Sequence, residues 1–151
     1  MLLHNQTQAI QRMNTLAKEG KDFFFIINYR ADSAYIEEFT NIDPRELLFS
    51  FPTLSNIPEA ESYSNEAVEW HTEPPTREDY EHRINLVKQR EREGDSYLAN
   101  LTCKIPIRTN LSLHDIFMRS KALYRCWMKE KFVCFSPEIF VRINREGLIS
   151  S

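Results

Sequence analysis

The sequence has 151 residues, and 19 Lys and Arg against 22 Asp and Glu give it a net charge of −3 at pH 7. Both signs are mixed along the chain, so it presents no basic field for nucleic acid or anionic lipid. Hydrophobic residues make up 42% of the sequence, which indicates a folded globular protein rather than a disordered segment.

The longest apolar run covers residues 23–27 and is far shorter than the roughly 20 residues that a bilayer span requires. The polar start of the chain lacks the charged and apolar regions of a signal peptide. We therefore expect a cytoplasmic protein without a membrane partner. Cys103, Cys126 and Cys134 are an odd number without Cys-x-x-Cys spacing, which predicts reduced, buried thiols rather than a disulfide framework or a zinc site.

Periodicity in the first half of the chain predicts one helix followed by strands. Apolar residues at helical spacing predict an amphipathic helix over residues 5–19, ended by a glycine. The run 23–27 is apolar at every position, which predicts a strand covered on two sides. Residues 32–39 are interpreted as a short helix and residues 47–51 as a further strand. Residues 52–75 are rich in Pro, Ser, Asn and Glu, which predicts a long surface loop or a short hairpin.

The middle of the chain carries a helix start followed by an alternating stretch. Thr76, with Asp79 three residues later, resembles an imperfect capping box and predicts a helix that ends at Gly94. Residues 97–107 then alternate between apolar and polar side chains, which predicts a long strand with one apolar face. Asn100 lies on the polar face of that predicted strand.

The last third of the chain predicts a helix and a set of strands. Ser112 is a helix cap, and the apolar stripe that follows extends as far as Trp127. Residues 132–135, 139–144 and 148 onward are predicted strands, and a hairpin turn joins the last two.

This order of elements predicts an α+β fold in which helices pack on a largely antiparallel sheet. Residues 1–51 alone would make a marginal domain, so we expect one domain rather than two. A domain that ended where the final strand has just begun would expose an unpaired sheet edge. Residues 1–151 are therefore expected to be one incomplete domain.

Two stretches of the sequence carry a resemblance to a known family. Residues 94–102 (Gly-Asp-Ser-Tyr-Leu-Ala-Asn-Leu-Thr) and residues 135–140 (Phe-Ser-Pro-Glu-Ile-Phe) resemble two signatures of the chorismate-utilising enzymes, most closely those of aminodeoxychorismate synthase component I. Leu98 and Ala99 replace the usual Gln-Val of the first signature. The resemblance implies that residues 1–151 form the N-terminal half of the chorismate-binding fold, which is the fold of anthranilate synthase.

Glu138 and Asn100 are the candidate site residues. Pro137 interrupts the strand pattern, and a carboxylate beside such a break can be held in a poorly solvated pocket where it acts as a general acid. The alternative is a solvent-facing Glu at the start of a strand. The resemblance implies that Glu138 is the general acid or base of the chorismate pocket. It also implies that Asn100 contacts the substrate. The alternative is that Asn100 is buried and that its amide hydrogen-bonds the neighbouring backbone.

The resemblance also implies a reaction. Aminodeoxychorismate synthase component I aminates chorismate to 4-amino-4-deoxychorismate in para-aminobenzoate and folate synthesis. It uses Mg²⁺ and ammonia from a glutamine amidotransferase subunit, component II. In the family a Pro-x-Lys-Gly-Thr loop and the metal-binding glutamates follow the second signature, so we expect them after residue 151. We therefore expect an enzymatic parent protein, and no turnover by residues 1–151 alone.

Two alternative functions stay open. An anthranilate or isochorismate synthase component would share both signatures. A non-enzymatic interaction module would present an exposed apolar groove instead of a catalytic pocket.

Overall fold

The computed structural model describes residues 2–59, 63, 66–135, 142–143 and 149–150. The chain divides into two compact units, one formed by Met1–Ser64 with Leu113–Ser151 and the other by Asn65–Ser112. Helices and antiparallel strands occur together, which confirms the α+β class. In the part of the chain that is described, no helix is both long and apolar enough to cross a membrane.

The elements of the first unit begin with one helix and five strands. In chain order they are β1 (Leu3–Asn5), α1 (Gln6–Lys18), β2 (Phe23–Ile27), β3 (Ser33–Glu38), a 3₁₀ turn (Phe39–Asn41), β4 (Leu47–Phe51) and β5 (Leu54–Ser55). The second unit then contributes β6 (Trp70–Thr72), α2 (Arg77–Glu93) and β7 (Ile107–Thr109). The chain returns to the first unit with α3 (Leu113–Arg119), β8 (Arg125–Met128), β9 (Phe132–Phe135), β10 (Arg142–Ile143) and β11 (Ile149–Ser150).

Local capping sets both ends of α1. The backbone N–H of Gln8 donates to the Asn5 side chain at 3.0 Å, and the Asn5 N–H donates to the Gln8 side chain at 3.1 Å. This reciprocal pair satisfies two N–H groups that the first turn leaves without helical partners. Beyond the helix, Gly20 has φ +64°, a left-handed conformation that glycine adopts without a steric penalty. The helix predicted over residues 5–19 is confirmed.

The core of the first unit lies between two antiparallel sheets, one ordered β1-β3-β2 and the other β5-β4-β8-β9. Alternate residues of their strands, together with Ile42 from the loop before β4, form one buried cluster, made of Phe24, Tyr35, Ile42, Leu47, Phe49, Cys126 and Met128. The opposite face of β3 packs Ala34 and Ile36 against α1, and the opposite faces of β4 and β8 pack against Phe117 of α3. Because strand side chains alternate between faces, the unit is layered as helix, sheet, sheet and helix.

The structure corrects two predictions for the first half of the chain. Residues 32–39 do not form a helix, because Ser33–Glu38 is the central strand β3. Both faces of β3 are buried, and this hides the period-two alternation that would have identified a strand. The strand at 23–27 is confirmed, but its cover on two sides is not. β2 lies at the edge of its sheet, where Phe24 is buried and Phe25 is 50% exposed.

The second unit contains the β6–β7 pair and α2. Trp70 pairs with Thr109 in antiparallel register, and Arg108 of β7 forms an ion pair of 2.6 Å with Glu73. The backbone N–H of Asp79 donates to the Thr76 hydroxyl at 3.1 Å, so the predicted start of α2 is confirmed. Among the residues of this unit that are described, none is buried.

The long strand predicted over residues 97–107 is wrong. The stretch from residue 97 to residue 106 has no regular structure, and β7 begins only at Ile107. A strand is stable only where another strand pairs with its backbone, and β7 meets β6 over three residues. Tyr97 and Leu98 are correspondingly exposed. The segment 52–75, predicted as a loop or short hairpin, includes the two short strands β5 and β6.

The predicted helix after Ser112 is shorter than expected. α3 ends at Arg119, and Trp127 lies in β8, where it pairs with Leu48 of β4. The Arg125 side chain donates hydrogen bonds to the carbonyl oxygens of Phe117 and Ser120. These bonds satisfy carbonyls at the helix end, so the chain can leave the helix there.

The strands at the end of the described chain agree with the sequence. The prediction for residues 132–135 is confirmed as β9. β10 and β11 pair antiparallel with Ile143 opposite Ile149, as the predicted hairpin requires. The hairpin turn itself lies outside the described residues. The single incomplete domain expected for residues 1–151 stays a prediction.

Two weakly acidic side chains buried in the core, Tyr35 and Cys126, should make the free energy of unfolding depend on pH in the alkaline range. Burial raises the pKa of Tyr35 from 10.0 to about 12 and that of Cys126 from 9.0 to about 12. Both groups ionise more readily in the unfolded chain, so the free energy of unfolding is at its full value below pH 9 and falls between pH 9 and 12. Urea unfolding at several pH values across this range measures the slope of the free energy of unfolding against pH. Tyr35→Phe should reduce the slope above pH 10, where the Tyr35 contribution begins.

Tyr29→Phe is the matched control, because the Tyr29 side chain is fully exposed. This variant should keep the wild-type slope. Equal slopes for Tyr35→Phe and the wild type would contradict the assignment of the pH dependence to Tyr35.

Candidate functional site

Of the two candidate site residues, the structure describes Asn100 but not Glu138. Asn100 is exposed and lies in the irregular stretch between α2 and β7, so the alternative of a buried amide is not realised. Glu138 falls within residues 136–141, which lie outside the described residues. The general acid or base role of Glu138 therefore stays a prediction.

The strand that precedes the Ser-Pro-Glu motif is packed on both of its faces. β9 ends at Phe135, directly before Ser136, and pairs along its whole length with β8. Phe132 packs against the core cluster between the sheets, and Val133 packs against the cluster that contains α3. The packed part of β9 is therefore its start, while Cys134 and Phe135, directly before Ser136, are exposed and are held by pairing with β8.

Arg125 holds the end of α3 against this strand pair, and the sequence patterns did not single it out. Its backbone lies opposite Phe135 in the β8–β9 register. Its guanidinium donates to the Phe117 carbonyl at 3.2 Å and to the Ser120 carbonyl, and its Cζ lies 5.0 Å from the centroid of the Phe117 ring. The available signal was a single charged residue in the otherwise uncharged run 122–128. A half-buried cation in such a run requires partners.

Each unit has an apolar surface groove. The groove of the second unit measures about 400 Å³ and is lined by Pro74, Pro75, Arg77, Tyr80, Cys103 and Ile105. Cys103 and Ile105 follow the Asn100 stretch, so this groove adjoins the first family signature. The groove of the first unit measures about 150 Å³ and includes Ala9, Ile10 and Met13 of α1 and Ile27 of β2.

Two carboxyl groups in the described part of the chain have shifted pKa values, and both are partly exposed and shifted downward. Hydrogen bonds from the Arg45 side chain and backbone lower the pKa of Asp43 to about 2. A hydrogen bond from Lys21, at 3.1 Å, lowers the pKa of Glu38. A general acid at neutral pH needs a raised pKa, so neither carboxyl group fits that role.

The described part of the chain contains no ready-made metal cluster, and the Mg²⁺ implied by the family resemblance stays a prediction. Within residues 2–59, 63, 66–135, 142–143 and 149–150, no group of three or more His, Cys, Asp or Glu side chains could hold a metal ion. Mg²⁺ sites in proteins use carboxylate oxygens together with substrate oxygens.

The sequence matches the family described as chorismate binding enzyme over residues 28–151. The chain belongs to this family, which confirms the resemblance seen in the two signatures. The match includes both Asn100 and Glu138.

Two curated relatives are similar over nearly the whole chain, and both are named as uncharacterised PabA-like proteins. The protein from Pasteurella multocida is 30% identical over 139 residues, which cover 92% of this chain and 43% of the relative. The protein from Haemophilus influenzae is 30% identical over 146 residues, which cover 93% of this chain and 42% of the relative. The chain thus spans about two fifths of the length of these relatives. No solved structure matches it, so its place in the N-terminal half of the family fold stays a prediction.

Proposed function

We propose that the chain forms part of an enzyme that aminates chorismate to 4-amino-4-deoxychorismate, that is, an aminodeoxychorismate synthase component I. The observation that carries the proposal is the family match over residues 28–151, which supports chorismate as the substrate. The PabA-like names of the two relatives favour the para-aminobenzoate branch over the other chorismate reactions.

Glu138 is the proposed proton carrier. In its acid form it donates a proton to the departing 4-hydroxyl oxygen of chorismate, which leaves as water. The resulting carboxylate then accepts a proton from the incoming nitrogen. A general acid must be held within hydrogen-bond distance of the atom that it protonates, and β9, whose first two residues pack into the first unit, is the element that precedes Glu138.

Asn100 is the proposed substrate contact. A side-chain amide offers both donors and an acceptor, so it can bond a carboxylate or a hydroxyl group of chorismate. Its exposure in the structure leaves these groups accessible. The proposal includes a Mg²⁺ ion, whose ligands we expect after residue 151. It also includes a glutamine amidotransferase subunit that supplies the ammonia.

An assay of the full-length polypeptide that contains this chain tests the proposal. With chorismate, ammonium and Mg²⁺, the product expected by chromatography is 4-amino-4-deoxychorismate, and the reaction without ammonium is the control. Anthranilate or isochorismate as the product would favour one of the other chorismate enzymes. Unchanged chorismate, together with no chorismate binding by calorimetry, would contradict a chorismate-utilising function.

One observation favours the interaction module as a second candidate. The groove of the second unit is apolar and exposed, with Tyr80 and Ile105 among its lining residues. Exposed apolar surfaces of this kind commonly bind protein partners. A partner that binds the full-length protein equally well with and without chorismate, in the absence of any turnover, would support this function.

A further inference from the structure

Two cysteines meet across neighbouring strands of the first unit. Cys126 of β8 and Cys134 of β9 are directly opposite each other in the antiparallel register. Residues that oppose each other in this way point to the same face of the sheet. Cys126 is 7% exposed and belongs to the core cluster, whereas Cys134 is exposed because β9 lies at the edge of the described sheet. One thiol of the pair is therefore accessible to solvent.

The hydrogen bonds of the neighbouring strand identify the type of pair. The N–H of Phe49 donates to the Asn56 side chain at 2.8 Å, and the Phe49 carbonyl accepts from the Asn56 N–H at 3.3 Å. The polar backbone groups of Phe49 therefore point away from Cys126, its partner on β8. Because these directions alternate along an antiparallel ladder, the backbone groups of Cys126 point toward β9. Cys126 and Cys134 are a hydrogen-bonded pair.

This pair type permits a disulfide but strains it. The Cα atoms of a hydrogen-bonded pair are about 5.5 Å apart, within the range of about 4.4–6.8 Å found in disulfides. The Cβ atoms of opposed residues are about 4.5–5.5 Å apart, whereas a disulfide brings them to about 3.8 Å. The two strands must move together locally before the bond can form. Strained disulfides of this kind are the ones most readily reduced.

We propose that Cys126 and Cys134 form a reversible oxidation site whose oxidant is a low-molecular-weight disulfide. The Cys134 thiolate attacks one sulfur of the oxidant and displaces the first small thiolate, which leaves a mixed disulfide on Cys134. The Cys126 thiolate then attacks the Cys134 sulfur and displaces the second small thiolate. The protein loses two protons and two electrons, and the oxidant is reduced to two thiols.

The surroundings of the two thiols slow their oxidation at neutral pH. Burial, together with the neighbouring Cys134, raises the pKa of Cys126 to about 12. Burial also raises the pKa of Cys134. The reactive thiolate is therefore scarce at neutral pH, and the reaction is slow until oxidant accumulates. Transient, regulatory disulfides are the type found in reducing compartments.

Oxidation of the full chain with oxidised glutathione tests the site. After acid quenching and alkylation, the oxidised protein should retain one alkylated thiol, on Cys103, and should have lost two hydrogen atoms by intact mass. Peptide mapping should recover a peptide in which Cys126 is linked to Cys134. Reduced glutathione in excess should return all three thiols.

Variants of each cysteine make the result specific. Cys134→Ala should abolish the intramolecular disulfide, and Cys126→Ala should do the same while leaving glutathione on Cys134. Cys103→Ser, in the other unit, should oxidise as the wild type does. If Cys126→Ala does not fold, Cys134→Ala together with the peptide map decides. Three alkylated thiols after oxidation, glutathione that persists on Cys134 in the wild type, or a link to Cys103 would overturn the proposal.

Discussion

Replacing Glu138 by glutamine in the full-length protein is expected to lower kcat by roughly 10²-fold or more, since general acid–base groups typically contribute about 10²–10⁴-fold. Glutamine keeps the size of the side chain and its ability to accept a hydrogen bond, but it has no proton to give to the leaving hydroxyl. KM for chorismate should change much less than kcat, because the loss arises in the transition state. Steady-state kinetics measure both constants, and circular dichroism checks that the fold is retained.

Glu130→Gln provides the control for this experiment. Glu130 lies in the exposed turn between β8 and β9, so it is close in sequence to Glu138 but outside the proposed site. Its substitution should leave kcat unchanged. A loss of activity in Glu138→Gln below a few-fold would instead identify Glu138 as the solvent-facing residue of the alternative interpretation.

The helices that the sequence predicted correctly are those with local signals at their ends. α1 has the Asn5–Gln8 pair and Gly20, and α2 has Thr76 at its start and Gly94, at φ +85°, at its end. Each signal acts within a few residues, so a reader of the sequence sees the whole interaction. The end of α3 was predicted too late in the sequence. The carbonyl groups at this end are bound by Arg125, a strand residue that no local capping pattern identifies.

Strands were predicted less well because their partners are remote in sequence. β3 pairs with β1 and β2 and is buried on both faces, so its pattern lacked a polar side. Residues 97–107 had the alternating pattern, but only β7 at their end found a partner strand. Asn100 and Glu138 were identified through the family signatures rather than through periodicity. The charge of Arg125 stands out in the run 122–128, but the carbonyl groups that it binds follow only from the placement of β8 beside α3.

The largest change in stability is expected from Phe49→Ala, which should reduce the free energy of unfolding by about 3–5 kcal/mol. Phe49 is 1% exposed and lies at the centre of the cluster between the two sheets. Its ring centroid is 5.0 Å from that of Phe24, 5.3 Å from that of Phe51 and 5.6 Å from that of Phe39. Truncation removes the buried ring and leaves a cavity bounded by both sheets, which cannot close it without moving.

Phe25→Ala is the matched control, because Phe25 is also a strand phenylalanine but is 50% exposed at the edge of its sheet. Half of its surface is already in water, so its truncation loses much less transfer free energy. Urea denaturation of the wild type and both variants measures the free energies of unfolding. Since small domains are stable by about 5–15 kcal/mol, Phe49→Ala should lose a large share of the total stability, whereas Phe25→Ala should lose much less. Equal losses in the two variants would contradict the placement of the main core between the β1-β3-β2 and β5-β4-β8-β9 sheets.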